Sequence, residues 1–162
     1  MPKLTYAGCG VAVVVEVDEA TGAVRVRRVV VGADVGRAVN PALIEAQLAG
    51  GAAFGIGNAM LESLEYDAEG QLLTGTLLDY ALPLSTDVPA IEAFYQEIPA
   101  HTNPLGLRGV GECGNPGLGA AIANAVCDAL RDLDVRVTAL PVTPARVRAA
   151  IERASLPRAD RG

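Results

Sequence analysis

"NPALIEAQLAGGAAFGIGNAMLESL", residues 40–64, decides the fold of this 162-residue chain. Asn40 is a natural N-cap, and Pro41 suits the first helical position, where a missing N–H costs nothing. A long helix therefore starts here. From Leu48 to Gly57 it carries no polar side chain, which predicts burial on nearly all sides. Four glycines in that run, Gly50, Gly51, Gly55 and Gly57, lower helix propensity. They make sense where another backbone or a ligand comes very close. Gln47 is the only amide of the helix before Asn58. It either meets solvent at the helix edge or hydrogen-bonds a polar ligand group that the glycines admit.

Upstream of the helix, "GVAVVVEVD", "EATG" and "AVRVRRVVVG" read as strand, turn and strand. Val24 to Val30 alternates Val with Arg before turning wholly apolar, as a half-exposed strand entering a core does. Downstream, Tyr66 to Leu72 carries the turn residues of a second hairpin, and "IEAFYQEI" reads as a further strand. A second helix is expected near Ala120 to Leu133, then a strand-like "DVRVTALPV". Thr143 caps a last amphipathic helix, "PARVRAAIERA". The pattern predicts an α+β fold of antiparallel β-hairpins with interleaved buried helices. Residues 1–154 form one domain, and 155–162 a disordered tail.

The composition is 51% hydrophobic, enough for a packed core. Six aromatic residues without Trp, and a net charge of -6, argue against nucleic-acid binding. The longest apolar run is about half the roughly 20 residues that cross a bilayer. The N-terminus lacks the order of a signal peptide, so a cytoplasmic protein without a membrane span is expected. One His and three scattered Cys do not form a metal-binding set, so no protein-ligated metal is expected.

"LGLRGVGECGNPGLG", residues 105–119, sets one carboxylate, Glu112, among six glycines. On the residues alone two readings stand. Glu112 is a surface loop carboxylate, or it is a general base in a crowded nest where burial raises its pKa toward the working pH. Cys113 adjoins it, but nucleophilic catalysis needs a neighbouring base or cation. His101, the single histidine, lies eleven positions before Glu112 and reads as a loop hydrogen-bonder. Arg27 and Arg28 read as a solvated strand edge. Arg108 is placed to pair with Glu112 or with an anionic cofactor.

"HTNPLGLRGVGECGNPGLGAAIANAVCDAL" resembles the C-terminal part of the molybdenum-binding large subunit of the xanthine dehydrogenase/aldehyde oxidase/aerobic carbon monoxide dehydrogenase family. Members carry "NPLG-x-KG-x-GE" leading into a helix with "A-x-ANA". "VEVDEATGAVRV" and "GADVGRAVNPALIEAQLAGGAAFGIG" are similar to the family's "VEVD-x-x-TG … D-x-G-x-x-x-NP … Q-x-x-G". "LLDYALPLSTDVP" and "LPVTPARVRAAI" fit its later pattern. The resemblance covers about residues 7 to 152. Phe54 stands where members often carry Gln or Glu, and Arg108 where Lys is usual.

The resemblance implies an oxidoreductase acting on aldehydes, N-heterocycles or carbon monoxide at a molybdenum held by a pterin dithiolene. Glu112 falls on the family's active-site base. Gln47 falls on a glutamine that hydrogen-bonds molybdopterin, and Gly50, Gly51, Gly109 and Gly111 become clearance for that cofactor, in its cytosine dinucleotide form. The cradle would be shared with an upstream portion of the large subunit, with no cofactor in the isolated chain. Electrons would leave through iron–sulfur and FAD-binding subunits, and the chain would form homo- or hetero-oligomers. The alternative is a truncated, non-catalytic remnant that acts only through association.

Overall fold

The computed structural model describes residues 4–156. Strands β1 (Gly8–Val17) and β2 (Val24–Asp34) are followed by helix α1 (Pro41–Met60) and strand β3 (Ile91–Gln96). Helix α2 (Leu118–Ala129), a short 3-10 turn at Arg131–Leu133 and helix α3 (Pro144–Ser155) complete the chain. The sheet runs in the order β1-β2-β3.

The β1–β2 hairpin turns as its sequence predicts. Asp18 Oδ1 accepts from the Ala20 and Thr21 amides at 2.9 and 3.3 Å. Gly22 closes the turn at φ +75°, a conformation that favours glycine. The pairing slips between Val14 and Val15, which face Arg28 and Val26 and leave Arg27 as the extra residue of a bulge. Because side chains alternate with period two, one extra residue flips the phase. Val26 points inward before the bulge; Val29 and Val31 do so after it. The Arg27-Arg28 doublet is where both neighbours can face solvent. Arg28 donates to both Glu92 oxygens, at 2.5 and 2.8 Å, and ties β2 to β3.

β3 joins parallel to β2, pairing Val29 with Ile91 through Asp34 with Gln96. The sheet is therefore mixed, with α1 as the crossover that a parallel pair requires. The second hairpin keeps its turn, with Gly70 at φ +82°. Its ladder is a single bridge between Tyr66 and Leu72. "DVRVTALPV" forms no strand. Its backbone finds other partners: Val137 donates to the Cys127 sulfur at 3.2 Å, and Val142 to the Ala59 carbonyl at 2.6 Å.

The caps of α1 and α3 are those expected. The Asn40 side chain accepts from the Leu43 amide, and the Thr143 hydroxyl from Arg146. α2 starts at Leu118, two residues early, and its predicted last turn is the separate 3-10 segment. The expected tail falls mostly outside the described residues, while Ser155 belongs to α3. Leu48, Ala52, Leu118, Ile122, Val126 and Val147 are fully buried with Val29 and Val31 of the sheet. α1, however, is not covered all round. Ile44, Leu48, Ala52, Ile56 and Ala59 face the core, while Leu43, Gln47, Gly50 and Phe54 are exposed. Small residues allow close packing on one face only, and the face of Leu43, Gln47, Gly50 and Phe54 stays open to solvent. Among the described residues no helix is long and apolar enough to cross a membrane.

Candidate cofactor-binding site

The loop that carries Glu112 is anchored at its start and packed at its end. Asn103 clips the start, its Nδ2 donating to the Leu107 carbonyl at 2.9 Å and its Oδ1 accepting from the Leu107 amide at 3.0 Å. Gly106, at φ +69°, lets the chain turn back toward the end of β2. There Gly36, at φ +65°, bridges to Leu107. The Arg108 amide donates to the Val35 carbonyl at 3.0 Å.

The Arg108 side chain does not pair with Glu112. Its Nε lies 3.1 Å from Asp34 Oδ2. The same guanidinium donates to the carbonyls of Ile98 at 3.1 Å and Tyr6 at 2.6 Å. These partners use the planar fork on the protein itself. Asp34 Oδ1 in turn accepts from the Gly36 and Ile98 amides, at 3.0 and 3.1 Å. Sequence reading passed over Asp34 as a positioning residue, although Asp-x-Gly is the signature of such a side-chain-closed turn.

Farther along, the loop meets α1. A Cβ on Gly114 would stand 2.4 Å from the Leu48 carbonyl oxygen and 2.8 Å from the Ala52 nitrogen, and one on Gly51 3.0 Å from the Gly114 Cα. Helix and loop thus touch backbone to backbone. Gly55 is crowded likewise by Leu118 and Asn115. The clearance at Gly51 is taken up by Gly114.

The other glycines are different. At Gly50 and Gly109 a Cβ would meet nothing within 4 Å, and at Gly111 its nearest neighbour would be Gln47 Oε1 at 4.0 Å. None of the three has the positive φ that favours glycine. Neither packing nor backbone conformation requires glycine at these positions. Gln47 and Gly50, three residues apart, share one face of α1. That face is exposed, and at Gln47 it lies beside Gly111, the neighbour of Glu112 in the loop. The fold has brought Gln47 to the Glu112 loop, with open backbone on both elements.

Glu112 is exposed, whereas Cys113 beside it is buried. Among the described residues nothing covers the carboxylate to make a crowded nest. Cys113 holds the loop down, its thiol donating to the Gly109 carbonyl at 3.7 Å. Burial, and then the Cys9 thiol, push the Cys113 thiol above its ordinary value. That is the reverse of an activated nucleophile. His101 is exposed in a turn. Among the described residues no group of His, Cys, Asp and Glu could hold a metal ion.

The site is thus open backbone on two elements, with one exposed amide, Gln47, and one exposed carboxylate, Glu112. The profile of the molybdopterin cofactor-binding domain family matches residues 1–89. The chain belongs to that family. The nicotine 6-hydroxylase large subunit of Paenarthrobacter nicotinovorans is 36% identical over 97% of this chain and 21% of its own length. Quinoline 2-oxidoreductase from Pseudomonas putida 86 superposes with a TM-score of 0.86 at 40% identity, over 90% of this chain and 19% of that one. The reconstituted CO dehydrogenase from Oligotropha carboxidovorans gives 0.88 at 30% identity, over 95% and 19%. The chain spans about a fifth of the length of the curated relatives it matches.

Proposed function

We propose that this chain is one part of a molybdenum hydroxylase-type oxidoreductase, supplying a general base and part of the cofactor cradle. The observation that carries the reading is the set of glycines the protein itself does not need, Gly50, Gly109 and Gly111, flanking Gln47 and Glu112. A side chain at any of them would fill the ledge. The bound group, molybdopterin in its cytosine dinucleotide form, supplies the metal and the electron-accepting chemistry.

This chain's residues then divide the work. Gln47 offers an amide donor and acceptor to the polar edge of the cofactor. Gly50, Gly109 and Gly111 let it approach the backbone. Glu112 holds a carboxylate oxygen ready to take a proton, on a loop fixed at one end by Arg108 and Asp34 and at the other by Cys113 and Gly114. A base needs water excluded to gain strength, and Glu112 is exposed here. The cover is assigned to the rest of a large subunit, with iron–sulfur and FAD-binding subunits carrying electrons onward.

The test is Glu112→Gln in the assembled enzyme, with bound molybdenum and turnover measured together. Retained molybdenum with turnover reduced about 10²–10⁴-fold supports a positioned base. Parent turnover with full molybdenum overturns it.

A further inference from the structure

We propose that the free edge of β1 is an interface that takes the β1 of a second copy of this chain, antiparallel, about a two-fold axis at Val13. β1 ends the sheet, with β2 on one side of it and no strand on the other. The turn fixes which of its peptide groups look outward. The Asp18 amide donates to the Ala23 carbonyl at 2.9 Å, so Asp18 faces β2. Facing alternates along a strand, so Glu16, Val14, Ala12, Gly10 and Gly8 face β2 as well. Cys9, Val11, Val13, Val15 and Val17 turn their N–H and C=O groups away from it. Among the described residues nothing bonds these outward groups. Lys, Pro or a bulge commonly blunts such an edge. β1 contains no Lys or Pro, and the bulge lies on β2, at Arg27.

The occupant is a second copy because the strand is complementary to itself. Centring on Val13 pairs Val13 with Val13, Val11 with Val15 and Cys9 with Val17 of the second copy, each pair exchanging two backbone bonds. All the outward groups are then used. Moving the centre to Ala12 leaves Val17 without a partner on the strand, and moving it to Val14 leaves Cys9 without one. On the helix side, where Val11, Val13, Val15 and Val17 pack against the core, this register sets valine against valine. On the outer face Ala12 meets Val14, a side chain that is 54% exposed. Glu16 meets Gly10, and Asp18 meets Gly8, so no acid opposes an acid, a pairing that would destabilise. A Cβ on either glycine would meet nothing within 4 Å, which leaves room for the two carboxylates. Glycine inside a strand weakens it and often marks the close approach of another backbone.

The test uses the full, unaltered chain, labelled with nitrogen-15, with amide exchange read residue by residue at low and high concentration. The expected result is slower exchange at Val11, Val13 and Val15 as concentration rises. The Ala12 and Val14 amides, held by β2, are protected at both. Register is read by oxidising a mixture of two variants, Cys9→Ser with Ala12→Cys and Cys9→Ser with Val14→Cys. Positions 12 and 14 of opposite copies form a non-hydrogen-bonded pair, about 4.5 Å between Cα atoms, within reach of a disulfide. Position 12 lies farther from its own equivalent, beyond the roughly 7 Å a disulfide spans. The expected product is a cross-linked dimer of one chain of each kind, identified by mass spectrometry, with little from either chain alone. Both readouts should survive Leu78→Glu, a change at an exposed leucine outside β1. Exchange at the three valines that does not change with concentration overturns the proposal. So does association that leaves them unprotected, or cross-linking of like with like as readily as with unlike. None of these readouts depends on Glu112 or on a cofactor.

Discussion

Gly51 and Gly114 touch backbone to backbone: a Cβ on Gly114 would stand 2.9 Å from the Gly51 Cα, and still closer to the carbonyl of Leu48. This contact sets the distance between the helix that carries Gln47 and the loop that carries Glu112. Gly114→Ala is expected to destabilise the chain, since neither neighbouring backbone can yield. Overpacking of this kind costs about 1–3 kcal/mol. Urea unfolding measures it, and an unchanged midpoint counts against the contact.

Gly50 should behave in the opposite way. It lies within α1 with nothing near its missing Cβ. Gly50→Ala is expected to raise stability by about 0.4–1 kcal/mol through reduced unfolded-state entropy. In the assembled enzyme the same methyl is expected to weaken cofactor retention, read as molybdenum per protein. Higher stability with full molybdenum would remove Gly50 from the cradle.

Gln47→Ala is expected to lower bound molybdenum, with residual activity in proportion to it. Glu112→Gln leaves molybdenum in place and lowers kcat. Metal analysis beside turnover separates the two. A Gln47→Ala enzyme with full molybdenum and parent activity would leave the amide without a role.

The Arg108–Asp34 pair is largely shielded, at 21% and 13% side-chain exposure. Asp34→Ala removes the carboxylate partner of Arg108 and an acceptor from the Gly36 and Ile98 amides. Hydrogen bonds to charged groups contribute about 1.5–3 kcal/mol. A loss in that range is expected on denaturation. A double-mutant cycle with Arg108→Ala should show coupling, and additive losses would contradict the pairing.

The hairpin turn gives an acid signature. The Thr21 side chain, then the Ala20 and Thr21 amides, hold the Asp18 carboxyl below its ordinary value. The folded state therefore binds this proton less readily than the unfolded chain does. The contribution is fully present above the unfolded value of about 3.9. It is lost as pH falls through the folded value. Asp18→Asn should flatten that part of the acid unfolding curve, and identical curves below about pH 4 would refute the assignment.

Leu77 and Leu78 are 76% and 93% exposed, with Leu73, Leu82 and Leu84 exposed nearby. Large exposed apolar patches mark interfaces. Concentration-dependent association is expected in sedimentation, reduced by Leu78→Glu. A monomer at all concentrations would argue against this surface as an interface.

Local chemistry determined much of this protein in its sequence. The Asn40-Pro41 start of α1, the Thr143 cap of α3 and the Gly22 and Gly70 turns are legible because each rests on a few adjacent residues. The tertiary structure decided the rest, because it depends on which distant backbones meet. The parallel seat of β3, the Asp34 partner of Arg108 and the loss of a strand at 134–142 all come from long-range partners with no local signal. The same holds among the glycines, which look alike in the sequence. Gly51, Gly55 and Gly114 serve the contact between helix and loop, and Gly50, Gly109 and Gly111 are left open. Only packing distinguishes a glycine crowded by its own chain from one that faces space.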